Sequence, residues 1–385
     1  MPENTEIITK PERLESVIDE LLASARISLD VESDGFHNYH DRVCIVTLSS
    51  EDRNFVVDTL ALGEDSRRLQ RLLDRPDVPV LMHSGHNDVL ALKRAYRFEF
   101  GMVQDTALAV SLLGYAQTGL AVLAETFLGL HLEKDLQRHD WSRRPIELEQ
   151  VRYLINDTRH LFRIHDLIWQ ELEKHELADE YRIECDAVRE SEPREREFDP
   201  ERFRKIRGAL DLDDTGRGVL KALYAWRNNL ARTLDRAAFR VASDQTLLDL
   251  ARLRPKAPAD LENLRGVGEW LRTNHGQTLL EAVCAGEADP APLRAPRKPA
   301  PEGPRLDPRQ RDRVGRLKRW REDEARKRGL GLQAILPTAV MHELVLKGPR
   351  TVEELAAVPR VGRSRAQRYG EALLRIVGAK PAKGG

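Results

Sequence analysis

Four acidic residues in three distant segments of the sequence could together hold divalent metal ions. Asp30 and Glu32 lie two positions apart in the first segment, Asp88 ends the second, and Asp157 follows Tyr153 by four positions in the third. Carboxylates that converge in one fold repel one another unless cations lie between them. Two divalent ions held by carboxylates are the usual machinery for cutting a phosphodiester. The acids therefore predict a metal-dependent site for phosphodiester hydrolysis.

Regular secondary structure can bring these acids together. Apolar and polar residues alternate around Asp30 and Glu32, which predicts a strand that carries both carboxylates on one face. Tyr153 and Asp157 lie in a long helical pattern, one turn apart on one helix face. Asp88 opens another helical run shortly after an apolar strand. The three acid-bearing elements can therefore meet at one edge of a sheet.

The composition is that of a globular protein with several domains. The chain has 385 residues, 41% of them hydrophobic and 32% charged, which suits two or three domains. No apolar run reaches the roughly 20 residues that cross a bilayer, and the N-terminus lacks the basic and apolar regions of a signal peptide. Cys44, Cys185 and Cys284 lack metal-ligand spacing and predict free thiols in a reducing compartment. We therefore expect a cytoplasmic location, no membrane insertion and no obligate protein partner.

Short strands and helices alternate over residues 1–175. This alternation predicts an α/β domain with a mixed sheet. The predicted strands are 27–32, 43–48, 54–58 and 78–83, and the predicted helices lie near 65–74, 88–97, 105–113, 119–129 and 147–173.

The remainder of the chain is predicted to be helical. Residues 206–288 and 307–377 each contain an early charged helix with a tryptophan and a late glycine turn before a last helix, so we interpret them as a diverged internal repeat. Residues 176–205 are predicted to be a charged helical linker, 289–306 a proline-rich linker and 378–385 a tail. Residues 307–377 hold 17 Lys and Arg against 9 Asp and Glu, although the net charge of the chain is −1. Such a basic segment is expected of a surface that follows a nucleic-acid backbone.

The acid motifs resemble those of the DEDD superfamily of 3′→5′ exonucleases, and tyrosine at position 153 is the mark of its DEDDy subgroup. The two helical units look like HRDC domains, and an exonuclease domain followed by two of them is similar to the bacterial ribonuclease D family. Further phrases that carry the likeness are Arg42-Val43-Cys44-Ile45, Gln104-Asp105-Thr106 and Asp140-Trp141-Ser142-Arg143-Arg144-Pro145.

The resemblance implies a 3′→5′ exoribonuclease with a ribonuclease H-like fold that uses two Mg²⁺ or Mn²⁺ ions. By resemblance, Asp30 would bridge both ions, and Glu32 and Asp157 would complete the site of the attacking water. Asp88 would support the second ion through water, and Tyr153 would orient the attacking water. The implied partner is RNA with a free 3′ end, in particular the 3′ trailers of precursor tRNA.

Two other functions remain open. A 3′→5′ DNA exonuclease would use the same chemistry, and nothing in the acids separates DNA from RNA. A non-catalytic RNA-binding scaffold is disfavoured because all five expected catalytic positions, the four acids and Tyr153, are filled. His83 is expected to be a strand-end histidine rather than a zinc ligand, since no Cys or His lies at ligand spacing. Asp105 is expected to cap a helix or anchor a loop.

Residues outside the acid cluster are expected to contact nucleic acid. Aromatic side chains after the metal-binding strand could stack on bases, and Arg42 could hold a phosphate; loop packing is the alternative. The turn at Gly362 could hold phosphates, whereas the turn at Gly266 is expected to be structural or to contact protein. Arg144 could line the substrate path or belong to a turn that buries Trp141. The expected nucleic-acid contacts are Phe36, Tyr39, Arg42, Arg144, Arg360, Arg363, Arg365 and Arg368.

Overall fold

The computed structural model describes residues 4–133, 135–194, 197–262, 264–293 and 306–378. These residues fall into two compact units. Unit 1 holds the described residues of Met1–Glu32, Val43–Pro193 and Glu302–Gly385, and unit 2 holds those of Ser33–Arg42 and Arg194–Pro301. The units therefore cut across the predicted domain boundaries. Most of the predicted proline-rich linker lies outside the described residues.

The described part of unit 1 is built on a six-stranded mixed sheet, which confirms the predicted α/β class. Its strands are β1 (Thr5–Ile8), β2 (Ile27–Ser33), β3 (Val43–Ser49), β4 (Asn54–Asp58), β5 (Val80–Met82) and β6 (Val103–Asp105). The strand order is β1-β4-β3-β2-β5-β6. β1 pairs with β4 in parallel, β5 pairs in parallel with β2 and β6, and β3 and β4 are antiparallel. β1 and β6 were not predicted, because strands of three or four residues are too short to display a period.

Helices cover the sheet. In chain order they are α1 (Pro11–Leu22), α2 (Thr59–Leu62), α3 (Gln70–Leu73), α4 (His86–Tyr96), α5 (Thr106–Leu112), α6 (Leu120–Leu128), α7 (Leu148–Asn156), α8 (Leu161–Lys174) and α9 (Ala178–Arg189). The predicted single helix over 147–173 is wrong, since α7 and α8 are separate. Between them the Thr158 carbonyl accepts a hydrogen bond from Ser28 Oγ at 3.1 Å, and its hydroxyl lies 2.7 Å from Ser49 Oγ. These bonds to the sheet hold the break in place.

Unit 2 contains a four-helix segment with its own core. The helices are α10 (Asp214–Thr233), α11 (Ala238–Val241), α12 (Asp244–Leu253) and α13 (Glu269–Ala288). Phe203, Leu220, Leu247 and Leu279 are fully buried in this core. α10 and α13 are the two long helices of the unit.

The C-terminal helices belong to unit 1. They are α14 (Pro308–Arg328), α15 (Leu332–Ile335), α16 (Thr338–Lys347), α17 (Val352–Ala356) and α18 (Gly362–Val377). Leu336 and Leu373 share one hydrophobic core with Leu172 and Tyr181 of the α8–α9 region. Much of the predicted linker 176–205 is therefore helix α9, packed into this core.

A buried arginine marks the internal repeat. Arg227 in α10 donates to the Ala242 carbonyl at 2.9 Å and to Asp244 at 2.8 Å. Arg321 in α14 donates at the same sequence offsets, to the Leu336 carbonyl at 3.1 Å and to Thr338 at 2.9 Å. In both repeats the guanidinium ties the first long helix to the end of a short helix.

Within the described ranges, no single helix is long and apolar enough to cross a bilayer. One bent pair, Pro308–Arg328 with Leu332–Lys347, meets the criteria of length and composition together.

Candidate active site

Strand β2, in the interior of the sheet, carries two of the predicted acids in its C-terminal half. One carboxylate oxygen each from Asp30, Glu32 and Asp157 lie within 4.8 Å of one another. The apolar residues Ile27 and Leu29 of β2 are buried in the core. The alternation predicted from the sequence therefore places Asp30 and Glu32 on the face away from that core.

Asp157 reaches the same place because the end of α7 is bonded to the sheet. α7 ends at Asn156, and Asp157 retains right-handed helical backbone angles. The next residue, Thr158, is fully buried and bonds to Ser28 of β2 and Ser49 of β3. These contacts hold Asp157 beside the carboxylates of β2.

Asp88 approaches from the first turn of α4, where the partial positive charge of a helix N-terminus favours a carboxylate. The loop before α4 is held by Asp105, whose carboxylate accepts the backbone N–H groups of Ser84 at 3.0 Å and Gly85 at 2.9 Å. Asp105 also caps α5 by accepting from Ala107. The prediction that Asp105 is structural is confirmed, in both of the roles considered.

Tyr153 lies on the last turn of α7, next to Asp157. Its hydroxyl lies beside the Asp157 carboxylate and lowers the pKa of that carboxyl against the opposing effect of burial. Burial and the nearby charges of Asp157 and Glu32 raise the pKa of Tyr153 above its ordinary value. The phenol is therefore protonated throughout the neutral range.

Trp141 closes one side of the site. Its buried ring lies 5.8 Å from the Tyr153 ring and 5.0 Å from the His139 ring, measured between centroids. Its indole N–H lies beside Glu32 and stabilises the ionised form of that carboxyl. Among the described residues, no acceptor lies at regular hydrogen-bond geometry from this N–H, so the interaction is a loose one.

Burial raises the pKa of all four acids and is the largest cause for each, and the charges of neighbouring acids add to the rise for Glu32, Asp88 and Asp157. The pKa is raised to about 6 for Asp30, to about 8 for Asp157 and to about 10 for Glu32. The pKa of Asp88 is also raised well above its ordinary value, with the charges of Asp30 and Asp105 as further causes. Full ionisation of this cluster requires positive charge among the acids.

The donor set fits divalent metal ions that prefer oxygen. The three clustered ligands are all carboxylates, and Mg²⁺ and Mn²⁺ favour carboxylate oxygen over the thiolate and imidazole ligands of zinc. A bound cation would also offset the burial and repulsion that raise the four pKa values. The enzyme therefore uses divalent metal at this site.

The acids line an open cavity of about 640 Å³. Several of its walls come from residues that sequence patterns did not single out, since wall positions on irregular loops follow no period. His83 lies on the wall, and its Nδ1 is 2.9 Å from Thr106 Oγ1, as expected of a satisfied strand-end histidine. Other lining residues are Asn87, Leu120, Leu132, Glu133, Gln137, Arg138, Tyr153 and Asp157.

Arg144 was expected either to contact nucleic acid or to belong to a turn that buries Trp141. Its contacts are those of the turn, and contact with nucleic acid stays a prediction. Its Nη1 donates to the carbonyls of Trp141 at 2.7 Å and Arg143 at 2.8 Å. Its Nε and Nη2 bind the buried carboxylate of Asp58, and Nη2 also donates to the Cys44 carbonyl. All five N–H donors of a guanidinium are thus used within the protein. Arg144 anchors the turn that carries Trp141.

Three of the four C-terminal arginines that were expected to contact nucleic acid form ion pairs within the protein. Arg365 is fully buried, and its Nη2 donates to the Gln333 carbonyl at 2.9 Å and pairs with Glu184 at 3.4 Å. Arg360 pairs with the same Glu184, and Arg368 pairs with Glu180 at 3.0 Å and Glu176 at 3.3 Å. These arginines bind helix α9 because its acids face α18.

The turn before α18 also contacts α9. A Cβ added at Gly362, which has a φ of +73°, would meet the Ile183 side chain at 2.3 Å. The turn that was predicted to hold phosphates therefore packs against protein. Arg363 remains exposed, on the rim of a cavity of about 580 Å³ between α17 and α18.

The residues after β2 lie in unit 2. Phe36 is 42% exposed. The Tyr39 hydroxyl donates to Asn228 Oδ1 at 3.0 Å, and Arg42 pairs with the buried Asp34 at 2.7 Å while half of its side chain stays exposed. Contact of these three residues with nucleic acid stays a prediction.

Family models match nearly the whole chain. A model described as 3′-5′ exonuclease matches residues 5–173, and the HRDC domain model matches residues 217–283 and 310–377. The two HRDC matches confirm the internal repeat that was predicted from the sequence.

Known proteins also match over most of the chain. Ribonuclease D of Gluconacetobacter diazotrophicus is 30% identical over 78% of this chain and 77% of its own length. The solved structure of Escherichia coli RNase D, described as an exoribonuclease involved in structured RNA processing, has a TM-score of 0.62 at 23% identity and covers 97% of this chain and 98% of that one. The catalytic core of RRP6 from Trypanosoma brucei has a TM-score of 0.70 at 24% identity and covers 74% and 80%. These two structures support the fold.

Proposed function

The chain belongs to the ribonuclease D family of 3′→5′ exoribonucleases, and we propose that it removes 3′ trailers from precursor tRNA with two Mg²⁺ or Mn²⁺ ions. The observation that carries this proposal is the convergence of three carboxylates within 4.8 Å in a cavity that Asp88 and Tyr153 also line. The family supplies RNA as the substrate class. The free thiols of Cys44, Cys185 and Cys284 support a cytoplasmic location.

The four carboxylates and Tyr153 have different roles in the proposed reaction. Bound to Asp30, Glu32, Asp88 and Asp157, the metal ions would activate water and neutralise charge that develops on the phosphate. The Tyr153 hydroxyl favours the ionised form of Asp157, and its oxygen lone pairs can accept a hydrogen bond from the attacking water. Its raised pKa keeps it neutral, which avoids a further negative charge beside the scissile phosphate.

The arrangement needs no protein base with a neutral pKa. Asp30 and Glu32 sit on a strand in the middle of the sheet, and Asp157 is fixed by Thr158, so the ligands are positioned before substrate binds. Such preorganisation lowers the barrier because the ligands need not move during the reaction. Hydrolysis then depends on substrate placement and on metal occupancy.

End-labelled substrates test this function. We expect 12-nucleotide RNA with a free 3′-OH to be shortened from that end in Mg²⁺ or Mn²⁺ and to stay intact in EDTA. A matched DNA should be cut more slowly, and a 3′-phosphate should slow cleavage of RNA strongly. A precursor tRNA with a 3′ trailer should be trimmed to the mature end, whereas one with only a 5′ extension should not change. Efficient cleavage of circular RNA, or a preference for DNA, would contradict the proposal.

A further inference from the structure

Unit 2 carries exposed aromatic rings interleaved with arginines. Phe239 is 50% exposed, Trp270 44% and Phe36 42%. Exposed large apolar side chains that cluster are more informative than scattered ones, because they mark surfaces that bind something. We call the set of Phe36, Phe239, Trp270, Arg236 and Arg240 the aromatic–arginine surface.

One end of this surface is an aromatic pair under an arginine. The rings of Phe36 and Phe239 have centroids 5.1 Å apart. The Arg240 guanidinium lies 5.3 Å from the Phe36 ring and 5.9 Å from the Phe239 ring. Its Nε also donates to the Phe36 carbonyl at 3.1 Å. The pair is therefore held in place while both rings stay open to solvent.

The other end repeats the arrangement. The Arg236 guanidinium lies 5.8 Å from the Trp270 ring, and His275 packs edge-on to that ring at 5.0 Å. Arg236 and Arg240 are four residues apart, and Phe239 lies between them in sequence. The two arginine–aromatic groups are therefore joined by one short segment of chain.

The Ser33–Arg42 loop links this surface to the acid-bearing strand. Within unit 2 the N–H of Ala237 donates to the His37 carbonyl at 2.9 Å, and the N–H of His40 donates to Asp235 at 2.9 Å. Phe36 follows Glu32 by four residues, and extended chain spans at most about 3.6 Å per residue, so their Cα atoms lie within about 14 Å. That is about four stacked nucleotides at roughly 3.4 Å each.

We propose that the aromatic–arginine surface binds the unpaired RNA just upstream of the 3′ end, with bases stacked on Phe36, Phe239 and Trp270 and phosphates beside Arg236 and Arg240. This inference rests on the proposed function, because it names where that substrate is held. Stacking suits the stepwise shortening of RNA because every base has a ring face, so binding does not depend on sequence. The surface acts on affinity and leaves the chemistry to the acids.

Charge favours RNA over a protein partner for this surface. Residues 232–240 hold Arg232, Arg236 and Arg240 against the single acid Asp235, whose carboxylate already accepts the His40 N–H. Arginines beside aromatic faces bind nucleotides through both phosphate contacts and stacking. A protein partner is the alternative outcome of the experiment.

Binding in EDTA tests the surface without cleavage. We compare the affinity of a 12-nucleotide oligo(A) with that of an abasic strand of equal length and charge, using the full chain. The oligo(A) should bind more tightly, and Phe239→Leu and Trp270→Leu should each weaken its binding by about 5- to 100-fold while leaving the abasic strand unchanged. Arg236→Gln should weaken both and reduce the salt slope by about one. Equal binding of the two strands by the wild type would overturn the proposal.

Matched controls lie in the same unit. Phe198 is 39% exposed and stacks on Tyr224, and Arg252 pairs with Asp249 on the exposed face of α12. Phe198→Leu and Arg252→Gln should leave both affinities as in the wild type. Thermal melting checks that each variant is folded.

Kinetics separates this inference from the proposed function. The wild-type KM should fall as RNA grows from 2 to about 8 nucleotides, and Phe239→Leu with Trp270→Leu should flatten this dependence. If the wild type cleaves no RNA, the proposed function fails and the binding measurements alone decide the inference. If the variants keep the wild-type affinity and length dependence, RNA does not use this surface and a protein partner becomes the better explanation.

Discussion

Arg365 and Glu184 form a buried ion pair with a nitrogen–oxygen distance of 3.4 Å, although they lie 181 residues apart in sequence. Glu184 belongs to α9 and Arg365 to α18. Arg360 shares the same carboxylate. The basic charge counted along the C-terminal segment is therefore partly neutralised inside unit 1, and that count overstates the positive charge that RNA can reach.

The first prediction is that Glu184→Gln destabilises unit 1 by about 3 kcal/mol or more. The substitution leaves Arg365 buried without its counter-charge, and breaking a buried pair on one side is strongly unfavourable. The midpoint of urea unfolding measures the effect. The control is Glu190→Gln at the exposed end of the same helix, which should change stability by about 0.5 kcal/mol or less. A double variant, Glu184→Gln with Arg365→Met, should recover part of the loss; failure of Glu184→Gln to destabilise would show that the pair is immaterial.

This ion pair also shows where sequence reasoning ends. The alternation around Asp30 and Glu32 predicted their shared face, because strand geometry is local. The position of the Arg365 side chain depends on a partner in a helix far away in sequence, and no local period or spacing predicts that partner. The partners of Arg144 could not be predicted for the same reason, since Asp58 and the Cys44 carbonyl are distant in the chain.

Helix boundaries near the site show the same limit. The apolar period runs from α7 into α8 without interruption, so the sequence predicts one helix. Ser28 and Ser49 of the sheet bind Thr158 and stabilise a break there. This break positions Asp157 at the site. The local sequence pattern could not predict the break, because the serines that stabilise it lie far away in the chain.

Metal binding should depend on Asp30. Asp30→Asn removes one of the three clustered carboxylate charges, and we expect kcat to fall by roughly 10³-fold, which is about 4 kcal/mol in the barrier. Calorimetric titration with Mn²⁺ should show weaker binding. In EDTA the variant should be at least as stable as the wild type, because a repulsive charge is gone. Asp166→Asn, outside the cluster on α8, is the control, and wild-type turnover by folded Asp30→Asn would refute the site assignment.

Stability in EDTA should fall as pH rises. A carboxyl with a raised pKa in the folded state binds its proton more tightly there, so its stabilising contribution is complete below the unfolded pKa near 4 and is lost as pH rises through the folded pKa. For Asp30, Asp157 and Glu32 the folded values of about 6, 8 and 10 place this loss between about pH 4 and pH 10. Thermal melting from pH 5 to pH 9 measures it.

Divalent metal should reverse this trend. Mn²⁺ binds the ionised carboxylates, so the rise in Tm that it produces should be larger at pH 8 than at pH 6. Asp30→Asn should reduce the rise at both values. A metal-induced rise that is independent of pH would contradict coupling between proton release and binding at these acids.

Arg144 should matter for stability and not for RNA affinity. Arg144→Lys cannot replace five hydrogen bonds and leaves the buried Asp58 with a weaker partner, so we expect a loss of about 2 kcal/mol or more in unfolding free energy. The salt slope of RNA binding in EDTA should equal that of the wild type. Arg143→Gln, at an exposed position of the same turn, is the control. A reduced salt slope in Arg144→Lys would show that Arg144 does contact a phosphate of the RNA.

Tyr153 should contribute to the chemical step through its hydroxyl alone. Tyr153→Phe keeps the ring that packs 5.8 Å from Trp141 and removes the oxygen that would accept a hydrogen bond from the attacking water. We expect kcat to fall by roughly 10- to 10³-fold with little change in RNA affinity, because the interaction strengthens in the transition state. Single-turnover cleavage and binding in EDTA measure the two effects separately. The loss of the hydroxyl beside Asp157 should also raise the pKa of that carboxyl further, so the variant should need more Mn²⁺ for half-maximal activity at pH 7 than at pH 9. If Tyr153 serves only to pack against Trp141, Tyr153→Phe will match the wild type in rate and in metal requirement.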